Sequence, residues 1–165
     1  MTAPPRLAGR TVTGMSGRLQ TWTGAVPAVA RAQVAELLED AVAGPHPETA
    51  SALVASLPAV VVCVDDEPVA AAVGRERDGG FVVRALAVER TRRRSGLGRL
   101  LLDEVSLVSG YRWVEAETDR HSVEFYRRCG FSITSLGEKY PGVERFRCLR
   151  ESPDQPSRRP TDGRL

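Results

Sequence analysis

The sequence has no long apolar segment. Its longest uninterrupted apolar run, Ala59–Val64, has six residues, whereas a membrane-spanning helix needs about 20. The opening Met1-Thr-Ala-Pro-Pro carries neither a charged region nor an apolar region of the kind found in secretion signals. We therefore expect a cytoplasmic protein with no membrane partner.

Lysine, histidine and cysteine are scarce. The only lysine, Lys139, follows a glutamate, which excludes the Gly-Lys-Ser/Thr loop of P-loop nucleotide hydrolases. Cys63, Cys129 and Cys148 form no Cys-x-x-Cys pair, and neither histidine is spaced to pair with them, so we expect free structural thiols and no metal. A net charge of +2 is too near neutral to indicate nucleic acid as a partner.

The length of 165 residues, of which 42% are hydrophobic, suits one domain with a substantial core. Residues 1–17 show no sustained periodicity, and we expect a flexible N-terminal segment there. Residues 152–165 are polar and rich in proline, which predicts a disordered tail. The folded domain is therefore expected over residues 18–151.

Hydrophobic spacing and turn residues predict alternating strands and helices within that domain. Strands are predicted over Leu19–Thr23, Ala59–Val64, Val69–Val73, Phe81–Val88, Tyr111–Thr118, Phe131–Leu136 and Arg145–Leu149, and helices over Val26–Val42, Glu48–Leu57, Gly96–Val108 and His121–Cys129. The order β-α-α-β-β-β-α-β-α-β-β indicates an α/β domain of the α+β type on a mixed central sheet. Asp119 is predicted to cap the last helix.

The segment Leu86–Leu102 runs from a strand through a basic, glycine-containing turn directly into an apolar helix. Glycine lets the backbone approach a ligand closely, and a helix N-terminus presents free N–H groups with partial positive charge. This pattern is typical of a phosphate or pyrophosphate site, to which Arg92–Arg94 add charge. The alternative is an ordinary strand-to-helix turn with solvated arginines.

Two short motifs carry a family resemblance. Arg93-Arg94-Ser95-Gly96-Leu97-Gly98 resembles the Arg/Gln-x-x-Gly-x-Gly/Ala signature of the GCN5-related N-acetyltransferase (GNAT) superfamily. Phe125-Tyr126-Arg127-Arg128-Cys129-Gly130-Phe131 resembles the helix end that follows it in the same superfamily. The resemblance extends over roughly residues 19–151 and implies the GNAT acyl-CoA N-acyltransferase fold, with acetyl-CoA as co-substrate.

In that superfamily the turn holds the pyrophosphate and the preceding strand pairs with the pantetheine arm. By resemblance, backbone N–H groups of Arg94–Arg99 would bind the pyrophosphate and the Val88 N–H would polarise the thioester carbonyl. The strands Phe81–Val88 and Tyr111–Thr118 would be parallel and splayed apart around the arm. The implied acetyl-CoA-binding residues are Leu86, Ala87, Val88, Arg93, Arg94, Ser95, Gly96, Leu97, Gly98, Arg99, Asp119 and Tyr126.

The resemblance also implies Tyr126 as general acid toward the leaving thiolate, the alternative being a core tyrosine. Some family members carry a carboxylate midway along the strand before the signature, where this sequence has Val82. Strand alternation places Glu115 and Glu117 on one face. Either could act as the catalytic base through a water, with Glu117 as the residue that we select, and the alternative is an exposed charged face.

The acceptor is expected to contact Arg84, Glu115 and Tyr140. Alternation places Arg84 on the face of Val82, Leu86 and Val88, where it must reach water, a carboxylate such as Glu115, or an anionic acceptor. The resemblance implies an N-acetyltransferase that transfers the acetyl group to a primary amine of a small molecule or protein by direct attack in a ternary complex. The alternative is a non-catalytic, regulatory acyl-CoA-binding protein; a monomer or homodimer is expected.

Overall fold

The computed structural model describes residues 19–42, 48–107 and 110–152. The predicted N-terminal segment, residues 1–17, lies outside the described residues. The predicted tail, 152–165, also lies outside them apart from Ser152. None of the described helices is long and apolar enough to cross a membrane.

The described elements follow the predicted order. They are β1 (Leu19–Ala25), α1 (Arg31–Val42), α2 (Ala50–Ser56), β2 (Pro58–Val64), β3 (Glu67–Arg77), β4 (Gly80–Val88), α3 (Leu97–Leu107), β5 (Trp113–Asp119), α4 (Val123–Arg128), β6 (Ser132–Tyr140) and β7 (Val143–Glu151). A short 3-10 turn at Ala28–Ala30 precedes α1, and a second one at Arg90–Arg92 follows β4.

One seven-stranded sheet has the order β1-β2-β3-β4-β5-β7-β6. Its β4–β5 pair is parallel, and the remaining described neighbours are antiparallel. The mixed α/β fold predicted from the sequence is therefore confirmed. The last β4–β5 partners are Val83 and Ala116, although both strands continue, to Val88 and Asp119. The two strands thus separate at their C-terminal ends and leave a gap, as predicted.

Two helices pack on each face of the sheet. On the face that we call the back face, α3 and α4 pack over a core that includes Phe81, Val83, Val114 and Ala116. On the front face, α1 and α2 close a second core with residues of β2, β3 and β4 such as Ala85. The side chains of β5 that alternate with the back-face core point to the front.

A β-bulge in β4 changes which face its residues point to. Ala85 lies opposite Val73 and Val83 lies opposite Gly74, which leaves Arg84 as the extra residue. Because a bulge breaks strict alternation, Leu86 and Val88 pack on the back-face core together with Val83, while Arg84 reaches the front face. The prediction that Arg84 shares a face with Leu86 and Val88 is therefore wrong.

Two other expectations are corrected by local geometry. Helix α4 has Ser122 as its N-cap residue, and Asp119 Oδ1 accepts the N–H groups of His121 at 2.9 Å and Ser122 at 3.1 Å. Asp119 therefore fixes the turn before α4 and is not its cap. The last hairpin is longer than predicted, because β6 and β7 run to the turn at Pro141–Gly142.

The three cysteines are buried thiols and not disulfide-bonded, as predicted. Burial raises the pKa of Cys148 to about 11 and also raises the pKa of Cys129. Both thiols are therefore protonated and unreactive at neutral pH.

Candidate functional site

Two backbone N–H groups of β4 point into the gap between β4 and β5. Glu89 N–H donates to the Val69 carbonyl of β3 at 2.8 Å, and Ala87 and Ala85 follow the same register with β3. Since hydrogen-bonding direction alternates along a strand, the N–H groups of Leu86 and Val88 face away from β3. They line the side of β4 that has no β5 partner.

The gap opens onto the loop that leads into α3. Arg94 and Gly96 take left-handed conformations, with φ of 63° and 87°, and the Ser95 hydroxyl donates to the Arg92 carbonyl. The first α-helical hydrogen bond runs from Leu100 N–H to the Gly96 carbonyl at 3.0 Å. The N–H groups of residues 97–99 therefore have no acceptor within the helix, and this end of α3 carries partial positive charge.

Three arginines add full charges to that loop. Arg93, Arg94 and Arg99 are exposed, and none of them takes part in the ion pairs found among the described residues. Arg93 Nε donates to the Val88 carbonyl at 3.2 Å, which holds its guanidinium beside the gap. The loop thus offers free N–H groups and unneutralised guanidinium groups to an anion.

The two glycines of the signature have different tasks. A Cβ added at Gly96 would meet nothing within 4 Å, but its φ of +87° favours glycine. A Cβ added at Gly98 would lie 2.8 Å from the Phe125 ring of α4. Gly98 therefore lets α3 pack closely against α4, a role that sequence reasoning missed because Phe125 is 27 residues away along the chain.

Tyr126 is buried in the back-face core. Its ring meets Phe125 at 5.1 Å and Phe131 at 5.4 Å between centroids, both edge to face. Burial, with the neighbouring thiols of Cys148 and Cys129, raises the pKa of Tyr126 well above its ordinary value. The phenol is therefore protonated at neutral pH, which a proton donor requires.

Glu115 and Glu117 both lie on the front face and are ion-paired. Partial burial alone would raise the pKa of Glu117, but its hydrogen bonds with Arg145 and Lys139 outweigh burial and lower it. Glu117 is consequently ionised at neutral pH but is a weaker base than a free carboxylate. Glu115 is bound by Arg77 and Arg147.

Arg84 pairs with Glu48 just before α2, at 2.7 Å, and not with Glu115. Of the possibilities open from the sequence, the structure favours a protein carboxylate, although the predicted partner was the wrong one. Tyr140 lies at the end of the last hairpin with 43% of its surface exposed. Neither side chain joins Tyr126, which lies on the other face of the sheet.

Comparison of the sequence and the fold with known proteins finds similarity to acetyltransferases. The family model described as acetyltransferase (GNAT) domain matches residues 56–133, from the end of α2 into β6. Over these residues the chain is similar to the GNAT family. That match includes both sequence motifs together with the loop and the gap that they form. The comparison with curated proteins gives no match.

Solved structures extend the GNAT likeness beyond the matched segment, as a likeness of fold. The ribosomal-protein-S18-alanine N-acetyltransferase of Escherichia coli is 15% identical, with a TM-score of 0.64 over 85% of this chain and 99% of the other. A GNAT family acetyltransferase from Elizabethkingia anophelis with acetyl-CoA bound is 17% identical (TM-score 0.60, 81% and 97%). An aminoglycoside 6'-N-acetyltransferase complexed with coenzyme A is 18% identical (TM-score 0.67, 79% and 95%).

Proposed function

We propose that the protein is an N-acetyltransferase that transfers the acetyl group of acetyl-CoA to a primary amine. One observation carries the proposal: the β4–β5 gap, lined by the N–H groups of Leu86 and Val88, opens directly onto the α3 N-terminus. An extended amide-bearing arm that ends in a pyrophosphate fits such a site at both ends. The family and the fold agree with this donor.

The loop and β4 would divide the work of binding acetyl-CoA. Backbone N–H groups within 94–99 and the guanidinium groups of Arg93, Arg94 and Arg99 would bind the pyrophosphate, since both supply donors and positive charge. The N–H groups of Leu86 and Val88 would hydrogen-bond the arm, and that of Val88 would polarise the thioester carbonyl. A fixed dipole at that position stabilises charge that grows on the oxygen during attack. Ser95 and Asp119 would hold the backbone around this site, through the loop and the turn before α4.

Tyr126 and Glu117 would move the protons. An amine acceptor is mostly protonated at neutral pH because its pKa lies near 10, so it must lose a proton before attack. Glu117 is the first β5 residue beyond the last β4–β5 pair, and it would accept that proton through a water. Tyr126 would protonate the departing thiolate, and direct attack in a ternary complex needs no covalent enzyme intermediate.

Other features of the proposal stay predictions. They include a domain spanning residues 18–151, a cytoplasmic location, and a monomeric or homodimeric state. The alternative function is a regulatory protein that binds acyl-CoA without turnover; Val82, where some relatives carry a carboxylate, favours it. Release of free thiol from acetyl-CoA in the presence of amines would establish the enzyme.

The donor site is tested by a charge placed at Gly96. Gly96→Glu and Gly96→Gln share the strain of a left-handed φ and nearly the same size, so their melting temperatures should agree. The glutamate puts a negative charge beside the pyrophosphate and should weaken acetyl-CoA binding about tenfold or more relative to the glutamine. Isothermal titration calorimetry measures this ratio. Equal affinities of two folded variants for acetyl-CoA would show that the pyrophosphate does not bind at this loop.

A further inference from the structure

The front face beside the gap carries more cations than carboxylates. Three carboxylates there are each shared by two cations. They are Glu48 with Arg84 at 2.7 Å and Arg75 at 3.6 Å, Glu115 with Arg147 at 2.7 Å and Arg77 at 3.4 Å, and Glu117 with Arg145 at 3.1 Å and Lys139 at 3.2 Å. Six cations against three carboxylates leave a formal excess of three positive charges.

Other acidic side chains on β4–β7 offset this excess only in part. Asp119 lies opposite Arg145 and keeps its negative charge while its Oδ1 accepts two backbone N–H groups, which leaves a formal excess of two. Glu151 lies opposite Trp113 at the far end of β5. Glu144 is two residues from Phe146, which packs against the back-face core, so Glu144 and its cross-strand neighbour Glu138 lie on the back face. The positive charge of the front face is therefore only partly neutralised by the described strands around it.

The excess charge lies at the place where an acceptor must approach. Arg84 and Glu117 are the first residues of β4 and β5 beyond the last paired residues, so two of the three clusters flank the gap. A guanidinium has five N–H donors, and within residues 19–42, 48–107 and 110–152 Arg84 donates through Nη2 alone, to Glu48. Lys139 and Arg75 keep 54% and 58% of their side-chain surface exposed. These cations retain donors and solvent access for a second anion.

We propose that the acceptor is a primary amine that also carries a negatively charged group, a carboxylate or a phosphate, bound by this front-face cluster. The anionic group would contact the cations while the amine points into the gap. Guanidinium groups suit both anions because they offer paired parallel donors. The inference rests on the proposed acetyl transfer and names the substrate class of that same site.

Matched acceptor pairs test the proposal. β-Alanine against β-alaninamide isolates a carboxylate, and O-phosphoethanolamine against ethanolamine isolates a phosphate. Thiol release from acetyl-CoA gives kcat/KM for each, and we expect about a tenfold or larger preference for at least one anionic member. The preference should shrink when salt rises from about 20 mM to about 500 mM, because exposed charges are screened.

Removing one cation from a cluster should leave the fold intact, because each carboxylate keeps its second cation. Lys139→Gln and Arg75→Gln should each raise KM for the anionic acceptor about two- to fivefold, the scale of one exposed charge pair, and together about tenfold. KM for the neutral acceptor should not change, whereas kcat of Lys139→Gln can change for both acceptors because Lys139 bonds Glu117. Arg112→Gln, which removes the same charge just before β5 at the end opposite the gap, is the matched control.

Calorimetric titration of each probe into CoA-loaded protein repeats the comparison without turnover. Equal or absent binding of both anionic probes, or a preference that survives in the double variant, would overturn the anionic-acceptor proposal. The donor assignment is judged separately, since acetyl-CoA affinity should be the same in Lys139→Gln, Arg75→Gln and the parent protein. Intact acetyl-CoA binding with preferred neutral amines would therefore reject only the acceptor class.

Discussion

Replacing Tyr126 with phenylalanine separates its proposed chemistry from its packing. The substitution removes one oxygen and keeps the ring that contacts Phe125 and Phe131. No cavity of consequence forms, so the free energy of unfolding should change by less than about 1 kcal/mol at neutral pH. If the hydroxyl protonates the thiolate, kcat should fall by about 10²- to 10⁴-fold, equivalent to roughly 2.7–5.4 kcal/mol in the activation barrier.

The assay is steady-state thiol release at saturating acetyl-CoA and amine, over a pH range where chemistry limits the rate. Because the pKa of Tyr126 is raised, the parent enzyme should keep its acid protonated beyond about pH 10, so no alkaline loss from this group is expected below that. Tyr111→Phe is the matched control. Its hydroxyl bonds Glu76 away from the gap, so this variant should keep its kcat. A near-parental kcat in Tyr126→Phe would show that the Tyr126 hydroxyl is not the proton donor and that the residue only packs in the core.

Three further measurements follow from the structure. Burial raises the pKa of Tyr126 and of Tyr111 in the folded state. Their contribution to stability is therefore complete below the unfolded pKa near 10 and is lost as the pH rises towards the folded pKa. Urea unfolding above pH 10 should show the free energy of unfolding falling by up to ~1.4 kcal/mol per pH unit for each group, and Tyr126→Phe should flatten this slope. Gly74→Ala should destabilise the protein by about 1–3 kcal/mol in the same assay, since its Cβ would lie 2.3 Å from the Val82 carbonyl oxygen; unchanged stability would argue against the β4 bulge. Glu117→Gln should lower kcat by about 10²-fold if Glu117 accepts the amine proton, whereas a change confined to melting temperature would give it only its ion-pairing role.

Elements with strong local signals could be predicted from the sequence. The apolar runs that form β2 and β3, the glycine turn into α3 and the Phe-Tyr motif of α4 each combine pattern and turn chemistry. The geometry of the loop proposed to bind the pyrophosphate was predictable for the same reason, because its N–H groups belong to consecutive residues. The sequence could therefore predict structures that are formed by one contiguous segment of the chain.

Features that depend on contacts between distant segments could not be predicted. Nothing near Arg84 indicates that Glu48, 36 residues earlier, is its partner. Likewise, alternation placed Glu117 on the front face correctly but gave no sign of Lys139 and Arg145, which arrive on the last hairpin. Charged side chains fit many neighbours equally well, so their pairing is decided by the tertiary fold.

The β4 bulge affects both the local backbone of the proposed donor site and the contacts between distant segments. One extra residue at Arg84 turns Leu86 and Val88 toward the back-face core and keeps their N–H groups directed away from β3, into the gap. The bulge also directs the Arg84 side chain to the front face, beside the proposed path of the acceptor. A strictly alternating β4 would place Arg84, Leu86 and Val88 on one face, burying a guanidinium against the apolar residues under α3, which is costly. The bulge therefore separates an apolar wall behind the proposed donor from a charged surface before the proposed acceptor, at the point where β4 and β5 part.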